Sequence, residues 1–282
     1  VVDWDESILQ MTGDRCRVIT AASGGKSAPA DLRLPGPVGG MPKSCGMGVL
    51  VPTLTGYVNW ISPADGTELS EPFIAPFQDG KAEALTAVGV LNRASPEAGA
   101  LAASDVSLYK IELASEPSKG WRQTGRIEWT SARTQQILVA DSIAWCIRES
   151  DVAAVDLKTF AIIGTVPLPV SSLPALPLTD GLALVSKNHE LVVIKQSAGK
   201  VEVVWKKELS MHPVGQPRLV DSAITVLLPN GILESYSLAD GEPGESRSLG
   251  RPVQGGPWQL GRTTVVLTQD GSVIRFADAN SK

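Results

Sequence analysis

The chain has 282 residues, 43% of them hydrophobic and 20% charged, with a net charge of −5 and a pI near 5.2. That balance describes an ordinary folded protein with room for a large core, and its acidity excludes a reader of nucleic-acid phosphates, which needs a basic face. No run reaches the roughly 18 apolar residues of a membrane helix, so no membrane insertion by this segment is expected, and no basic-then-apolar leader opens it.

One grammar recurs along the chain. "SILQMTGDRCRVITAASGGK" starts at Ser7, "GVLVPTLTGYVNWISPADGTEL" at Gly48, "LALVSKNHELVVIKQSAGKVEVVWKKEL" at Leu182, "AITVLLPNGILESYSLADGEPGESRSL" at Ala223 and "TTVVLTQDGSVIRFADANSK" at Thr263. Each is an apolar or β-branched run, a polar or glycine tip, a second run, a turn and, except in the last, a third run. Short Val-, Ile-, Leu- and Thr-rich runs punctuated by turn residues predict strands. No stretch holds apolar residues at i, i+3, i+4, i+7 for three capped turns, so helices are not expected.

The tips fall at Gly13, Gly56, Asp105, Asp151, His189, Gly231 and Gly271, at intervals of 43, 49, 46, 38, 42 and 40 residues. That is the period of four-stranded propeller blades. The expectation is an all-β fold: a seven-bladed β-propeller of four-stranded antiparallel blades filling residues 1–282 as one domain, with six or eight blades as the alternatives. Only one strand follows Gly271, and Val1–Trp4 reads as the end of a first strand. The last blade is therefore expected to lack its outer strand, which a segment preceding Val1 would supply.

Four phrases bind the repeats together: "GPVGGMPK" at Gly36, "LPVSSLPAL" at Leu168, "HPVGQPRL" at His212 and "RPVQGGPWQL" at Arg251. Each follows an outer strand and precedes the next repeat. Proline cannot serve a central ladder but suits a strand entrance. Small residues after it (Gly39, Gly40, Ser171, Ser172, Gly215, Gly255, Gly256) suit first strands that converge closely. Two longer segments, a crossover at Phe73–Gly99 and a turn at Ala114–Gly125, stand out as insertions.

The motif Gly-x-Val-x-x-Ile-x-x-x-x-Gly-x-x-Leu at Gly56–Leu69, and "GKVEVVWKKEL" at Gly199–Leu209, resemble the PQQ-like propeller repeat. Trp205 matches that family's tryptophan position, and Gly66, Gly199 and Gly241 match its turn. The Pro-Val crossovers are similar to those of planctomycete-type PQQ-like proteins, and more distant relatives include the BamB-like scaffold lipoproteins of the outer-membrane β-barrel assembly machine. The resemblance implies a binding scaffold and a periplasmic or envelope location. The quinone-dependent dehydrogenases of that family imply an adjacent cysteine pair, a calcium cluster and a docking tryptophan in most blades. Here Cys16, Cys45 and Cys146 stand apart, no Asp/Asn/Glu group has calcium-loop spacing, and Trp205 is nearly alone at its position. No GxSxG or HExxH motif occurs, and His189 and His212 are the only histidines.

The expected function is that of a non-catalytic protein-interaction scaffold or sensory module, without a cofactor, binding a protein partner and no nucleic acid, as a monomer or part of a larger assembly. The alternatives are a small-ligand or quinone-binding enzyme, or the propeller domain of a larger signalling or envelope protein. In an up-and-down blade, the tips and crossovers share one face. Candidate binding residues there are Asp14, Phe77, Asp105, Asp151, His189, Asn230 and Asp270, an acidic rim with an exposed aromatic suited to a basic or mixed segment. Asp and Asn also simply favour turns. Trp60, Trp145 and Trp205 are expected to pack between blades and Trp258 to lie on a first strand, with Trp121 and Trp129 partly exposed; the cysteines are expected to be buried thiols.

Overall fold

The computed structural model describes residues 2–4, 7–20, 30–78, 80–114, 120–129, 132–197, 199–260 and 263–277. Among them the only helical element is one 3-10 turn, Pro96–Ala98, and strands form the rest of the regular structure. Sheets follow one another along the chain at residues 2–33, 43–74, 87–128, 134–167, 176–208, 218–248 and 253–277, each with its strands side by side in chain order. The first six have four strands, called A to D here, and the seventh has three described strands. A separate two-stranded hairpin joins Phe77–Gln78 to Lys81–Ala82. The chain forms two compact units, Val1–Glu149 with Ala153–Ile162, and Ser150–Val152 with Ile163–Lys282.

The fifth sheet shows why these sequences make these strands. A is Leu176–Leu178, B Gly181–Val185, C Glu190–Ser197 and D Lys200–Glu208, all paired antiparallel. All of B and Leu191–Val193 with Ile194 in C are buried, so both faces of these strands are covered and the sequence runs apolar without alternation. D is charged and mostly exposed, with Trp205 its one buried residue; lysines and glutamates on an outer strand blunt an edge that would otherwise pair with another chain.

Alternate residues of one strand serve different neighbours. In the first unit, Ala100, Ala102, Tyr109 and Ile111 of the third sheet pack with Leu50, Val58, Trp60 and Phe73 of the second. Leu101, Ala103 and Leu108 turn the other way, onto Ile137, Cys146 and Val155 of the fourth sheet. In the second unit, Val185, Val193 and Trp205 meet Ile224, Val226 and Tyr236. Each fully buried leucine or isoleucine contributes about 1.5–3 kcal/mol.

The Pro-Val phrases prove to be the entrances of A strands. Val38 pairs with Thr53 and Val170 with Ser186 at the far end of strand B, and Val253 pairs with Thr268 in the same way. The preceding proline turns its carbonyl to the next residue's amide: Leu54 donates to Pro37 at 2.8 Å, Lys187 to Pro169 at 2.8 Å and Gln269 to Pro252 at 3.1 Å. In the sixth sheet the entrance is shifted by one residue: the Val214 amide donates to the Leu227 carbonyl at 2.9 Å, and His212 Nδ1 lies 3.0 Å from the Pro213 carbonyl oxygen. The small residues have a cause as well. A Cβ on Gly39 or Gly40 would lie 1.9 Å from the carbonyl oxygen of Leu85 or Thr86, and one on Gly215 would lie 1.8 Å from that of Gly256. Consecutive A-strand entrances thus touch backbone to backbone.

Three expectations are corrected. Phe73–Gly99 is not one crossover: Phe73–Ile74 is a D strand, Phe77–Ala82 the hairpin, Ala87–Val90 an A strand and 91–99 the following A–B turn. The Ala114 turn ends by Gly120, because Trp121–Glu128 is a D strand. Trp121 is buried rather than partly exposed, edge-on to Trp60 with ring centres 6.1 Å apart. Trp60, Trp145 and Trp205 are buried and Trp129 is half-buried. Trp258 lies on the seventh sheet's A strand and is exposed. Cys45 and Cys146 are buried free thiols; the Cys16 side chain lies outside the described residues.

Candidate functional site

The B–C turns and the D-to-A crossovers emerge at the same end of each sheet and are stitched to one another. Crossover amides donate to tip carbonyls: Leu34 to Asp14 and Val38 to Gly13, Ala75 to Gly56, Ala132 to Asp105, Leu168 to Ser150, Leu209 to His189, and Leu249 to Gly231, at 2.7–3.0 Å. The tips are therefore a fixed surface rather than free loops. Gly56, Gly231 and Gly271 take φ of 88°, 81° and 81°, and His189 occupies the same left-handed region at 60°, where glycine is the usual residue.

In the first unit the Phe77 hairpin stands on the tip of the second sheet. A Cβ on Gly56 would lie 2.4 Å from Ala82 Cβ, so the absence of a side chain at Gly56 admits the hairpin. Phe77 is 65% exposed, and Leu54 and Ile74 of the second sheet are also exposed apolar residues. The hairpin is tied to the third sheet by a buried carboxylate. Glu83, with its side chain 6% exposed, accepts hydrogen bonds from Ser104 Oγ at 2.7 Å, Tyr109 Oη at 2.6 Å and Arg126 Nη2 at 3.1 Å. Arg126 also lies over the Tyr109 ring, 5.6 Å from its centre. Burial pushes the Tyr109 hydroxyl up to about 12, reinforced by its hydrogen bond to Glu83. With its oxygens committed to three donors, Glu83 acts as a latch: it holds the Phe77 hairpin to the turn that carries Asp105. Sequence reasoning missed Glu83, Tyr109 and Arg126, which are 26 and 43 residues from one another's partner in the chain and carry no motif.

The acidic tips are largely occupied by local work. Asp14 Oδ2 accepts from Arg33 Nε at 2.9 Å, and that bond holds its carboxyl below the usual range. Asp270 accepts from the Thr268 hydroxyl and from the Ser272 amide, which hold it down to about 2, and it pairs with Arg251 at 3.4 Å. Asn230 Oδ1 accepts from the Ile232 amide at 3.1 Å, closing its turn. Asp105 sits exposed in its turn and Asp151 begins strand C of the fourth sheet. Arg251 links two sites in the second unit: its carbonyl lies against Gly231, next to Asn230, while its guanidinium reaches Asp270. Asp14 and Asp270 are thus each paired with an arginine.

His189 is brought to His212, the edge of one ring facing the plane of the other with centres 5.3 Å apart. No sequence signal joins these two residues; the hydrogen bond from Leu209 to the His189 carbonyl does. Beside them Glu190 pairs with Lys206 at 2.9 Å and receives the Ser186 hydroxyl.

Successive up-and-down four-stranded sheets, joined D to A, define the β-propeller class. No protein-family model and no curated protein matches the chain. Solved structures similar to it include BamB from Moraxella catarrhalis, at 13% identity over 97% of this chain and 82% of that one, TM-score 0.68. Sqt1 from Saccharomyces cerevisiae matches at 11% over 96% and 81%, TM-score 0.71. BBS1N, solved in complex with ARL6DN, matches at 12% over 99% and 90%, TM-score 0.65. Identities this low show the fold alone, and 1430 matching chains mean that the fold by itself selects no function. Among the described residues, no helix is long and apolar enough to cross a membrane.

Proposed function

We propose that this propeller is a non-catalytic protein-interaction scaffold that binds a protein partner through tip residues: in the first unit Phe77 as the apolar anchor with Asp14 and Asp105 as polar contacts, and in the second unit Asp151, His189, Asn230 and Asp270. The observation that carries the proposal is Phe77: a large aromatic, 65% exposed, presented on a hairpin that the Glu83 latch holds in place. A large, rigidly presented and exposed aromatic is the kind of side chain that serves as a binding hot spot. The solved complex of BBS1N with ARL6DN supports protein binding as a use of this fold. The repeat's resemblance to PQQ-like propellers of planctomycete type supports a place in the bacterial cell envelope.

The test is affinity capture from an extract of the producing organism, with the parent chain and Phe77→Glu side by side. A partner retained by the parent and lost by the variant supports the reading. Equal retention by both, or none by either, sinks it. Titration with quinone and calcium, followed by absorbance, tests catalysis separately: a quinone-dependent spectral change would replace the scaffold with an enzyme.

A further inference from the structure

We propose that the outer strand of the fourth sheet pairs antiparallel with the same strand of a second copy of this chain, an interface independent of the Phe77 reading. Strand D of that sheet, Ala161–Pro167 (AIIGTVP), runs for seven residues without a charge. The other outer strands are guarded. Trp121–Glu128 carries Arg122, Arg126 and Glu128, Lys200–Glu208 carries five lysines and glutamates, and Ala30–Arg33 carries Asp31 and Arg33. Those of the second and sixth sheets are only two residues long. Charge and shortness are two ways in which proteins keep a sheet edge from pairing with another chain, and the fourth sheet uses neither.

The edge is open. Ala161–Pro167 is the last strand in its sheet. Among the described residues, none of its amides or carbonyls bonds to backbone outside that sheet. Alternate residues therefore turn N–H and C=O groups outward with no backbone partner. Ala161, Ile162, Thr165 and Pro167 are exposed, Ile162 by 43%. Gly164 does not serve to spoil the edge: a Cβ there would lie 3.2 Å from the Val201 side chain, so its bareness is a packing requirement of the fifth sheet. Pro167 lacks an N–H but stands at the last position, where it ends a pairing without interrupting it.

Two features select a second copy as the occupant. A two-fold axis brings one surface onto itself, so two copies of this strand meet antiparallel. With the axis at Gly164, Ile162 lies opposite Val166 of the second copy and Ile163 opposite Thr165. Each is a pair of β-branched residues, which suit strands, and no like charges are opposed. The ends match as well. Lys158, exposed in the C–D turn, stands just before the strand. Glu149, exposed at the tip, stands beside its far end, where the Leu168 amide donates to the Ser150 carbonyl at 2.9 Å. Antiparallel pairing sets Lys158 of each copy beside Glu149 of the other, an attraction that favours this register. Asp156, the other charge in that turn, is committed to closing it: its Oδ1 accepts from the amides of Lys158 and Thr159 at 2.9 and 2.6 Å. One strand pair is a small interface, so the dimer should form reversibly as concentration rises.

The experiment is sedimentation velocity of the full chain from low micromolar to near-millimolar concentration. The mean mass should rise toward twice that of one chain and no further. Ile162→Lys, which gives this edge the guard that the fifth sheet has, should weaken association at least roughly tenfold, because the two-fold axis counts the change twice. Lys158→Glu should weaken it at low salt, and adding Glu149→Lys to that variant should restore it. Phe77→Glu should leave it unchanged. Denaturant midpoints show that each variant keeps the fold. Hydrogen exchange at the two ends of the concentration range should show protection gained at Ala161–Val166 and none at Arg122–Glu128 or Lys200–Glu208. The proposal is overturned by a parent that stays monomeric, by assembly beyond the dimer or by a dimer indifferent to Ile162→Lys in a folded variant. It is overturned equally by a charge exchange that restores nothing, or by protection gained on another strand.

Discussion

The Trp205 indole lies directly over Gly241. Trp205 belongs to strand D of the fifth sheet and Gly241 to the C–D turn of the sixth, and a Cβ built on Gly241 would come within 2.7 Å of ring atoms Cδ2 and Cε3. The indole N–H donates to the Leu238 carbonyl of that turn at 3.0 Å. The first unit uses the inverse arrangement: the outer strand contributes Gly125 and the next sheet's turn contributes the aromatic Phe160, 2.6 Å from the position of a Cβ. One aromatic and one glycine fill the same gap between outer strand and turn, and either side can supply the ring.

Gly241→Ala should therefore lower stability by about 1–3 kcal/mol, through collision with the indole and a φ of 72° that an alanine resists. Chemical denaturation of parent and variant checks it. Coincident midpoints would mean that the ring moves aside freely.

The A-strand entrances should be less forgiving still. At Gly215 the obstacle is the Gly256 carbonyl, at 1.8 Å, and backbone cannot rotate away as a side chain can. Gly215→Ala should cost about 2–4 kcal/mol. Gly256, at φ 107° with Val265 oxygen 2.9 Å from a Cβ, should lose about 1–3 kcal/mol as Gly256→Val. Melting curves that overlay the parent's would show the sheets to be further apart here.

The Glu83 latch gives a third expectation. Glu83→Ala removes the acceptor shared by the Arg126 guanidinium, the Ser104 hydroxyl and the buried Tyr109 hydroxyl, although Arg126 keeps its bonds to Ser107 Oγ. A loss of about 2–4 kcal/mol follows. Hydrogen exchange should locate it: the amides of Lys81–Ala82 and Glu83 should lose protection before those of Leu101–Ala103. Equal loss everywhere would mean that the carboxylate supports the sheet and not the hairpin.

A pH effect is expected from Lys43, at the head of strand A in the second sheet. Burial, with the Arg93 charge as the smaller cause, pushes its ammonium down from 10.5 to about 8. A base with a depressed folded value holds its proton more tightly when unfolded. Its penalty is therefore complete below pH 8 and is relieved as pH climbs from about 8 to 10.5. Lys43→Met, which keeps the stem and removes the charge, should raise stability at pH 7 by about 1–3 kcal/mol. The gap between variant and parent should narrow across that alkaline window. Parallel profiles from pH 7 to the end of the window would refute the assignment.

The sequence by itself determined what depends on neighbours in the chain. Gly56, Gly231 and Gly271 mark left-handed turn positions, and Asn230 and Asp270 bond amides two residues on; such chemistry is local, so the repeat and its period could be read from residue order. Proline at Pro37, Pro169 and Pro252 marks a strand entrance for the same reason: the missing N–H is a property of that residue alone. Unbroken apolar runs such as "LALV" signalled strands, and the structure buries all of Gly181–Val185. The two-residue strands at Phe77 and Lys81 were beyond reach, because so short a run carries no period, and the hairpin dissolved into an apparent crossover.

Only the tertiary structure decided which side chains meet. Burial of Trp121 depends on Trp60, 61 residues earlier, and the satisfaction of Glu83 depends on Tyr109 and Arg126 in another sheet. His189 and His212 come together because a backbone hydrogen bond returns the crossover to the tip it left. Those relationships arise from sheets packing face to face and from polar groups finding partners once water is excluded. Asn230 only closes its turn, whereas Asp14 and Asp270 also form ion pairs, because strand D of the same sheet brings Arg33, and the crossover into the same sheet brings Arg251, beside them.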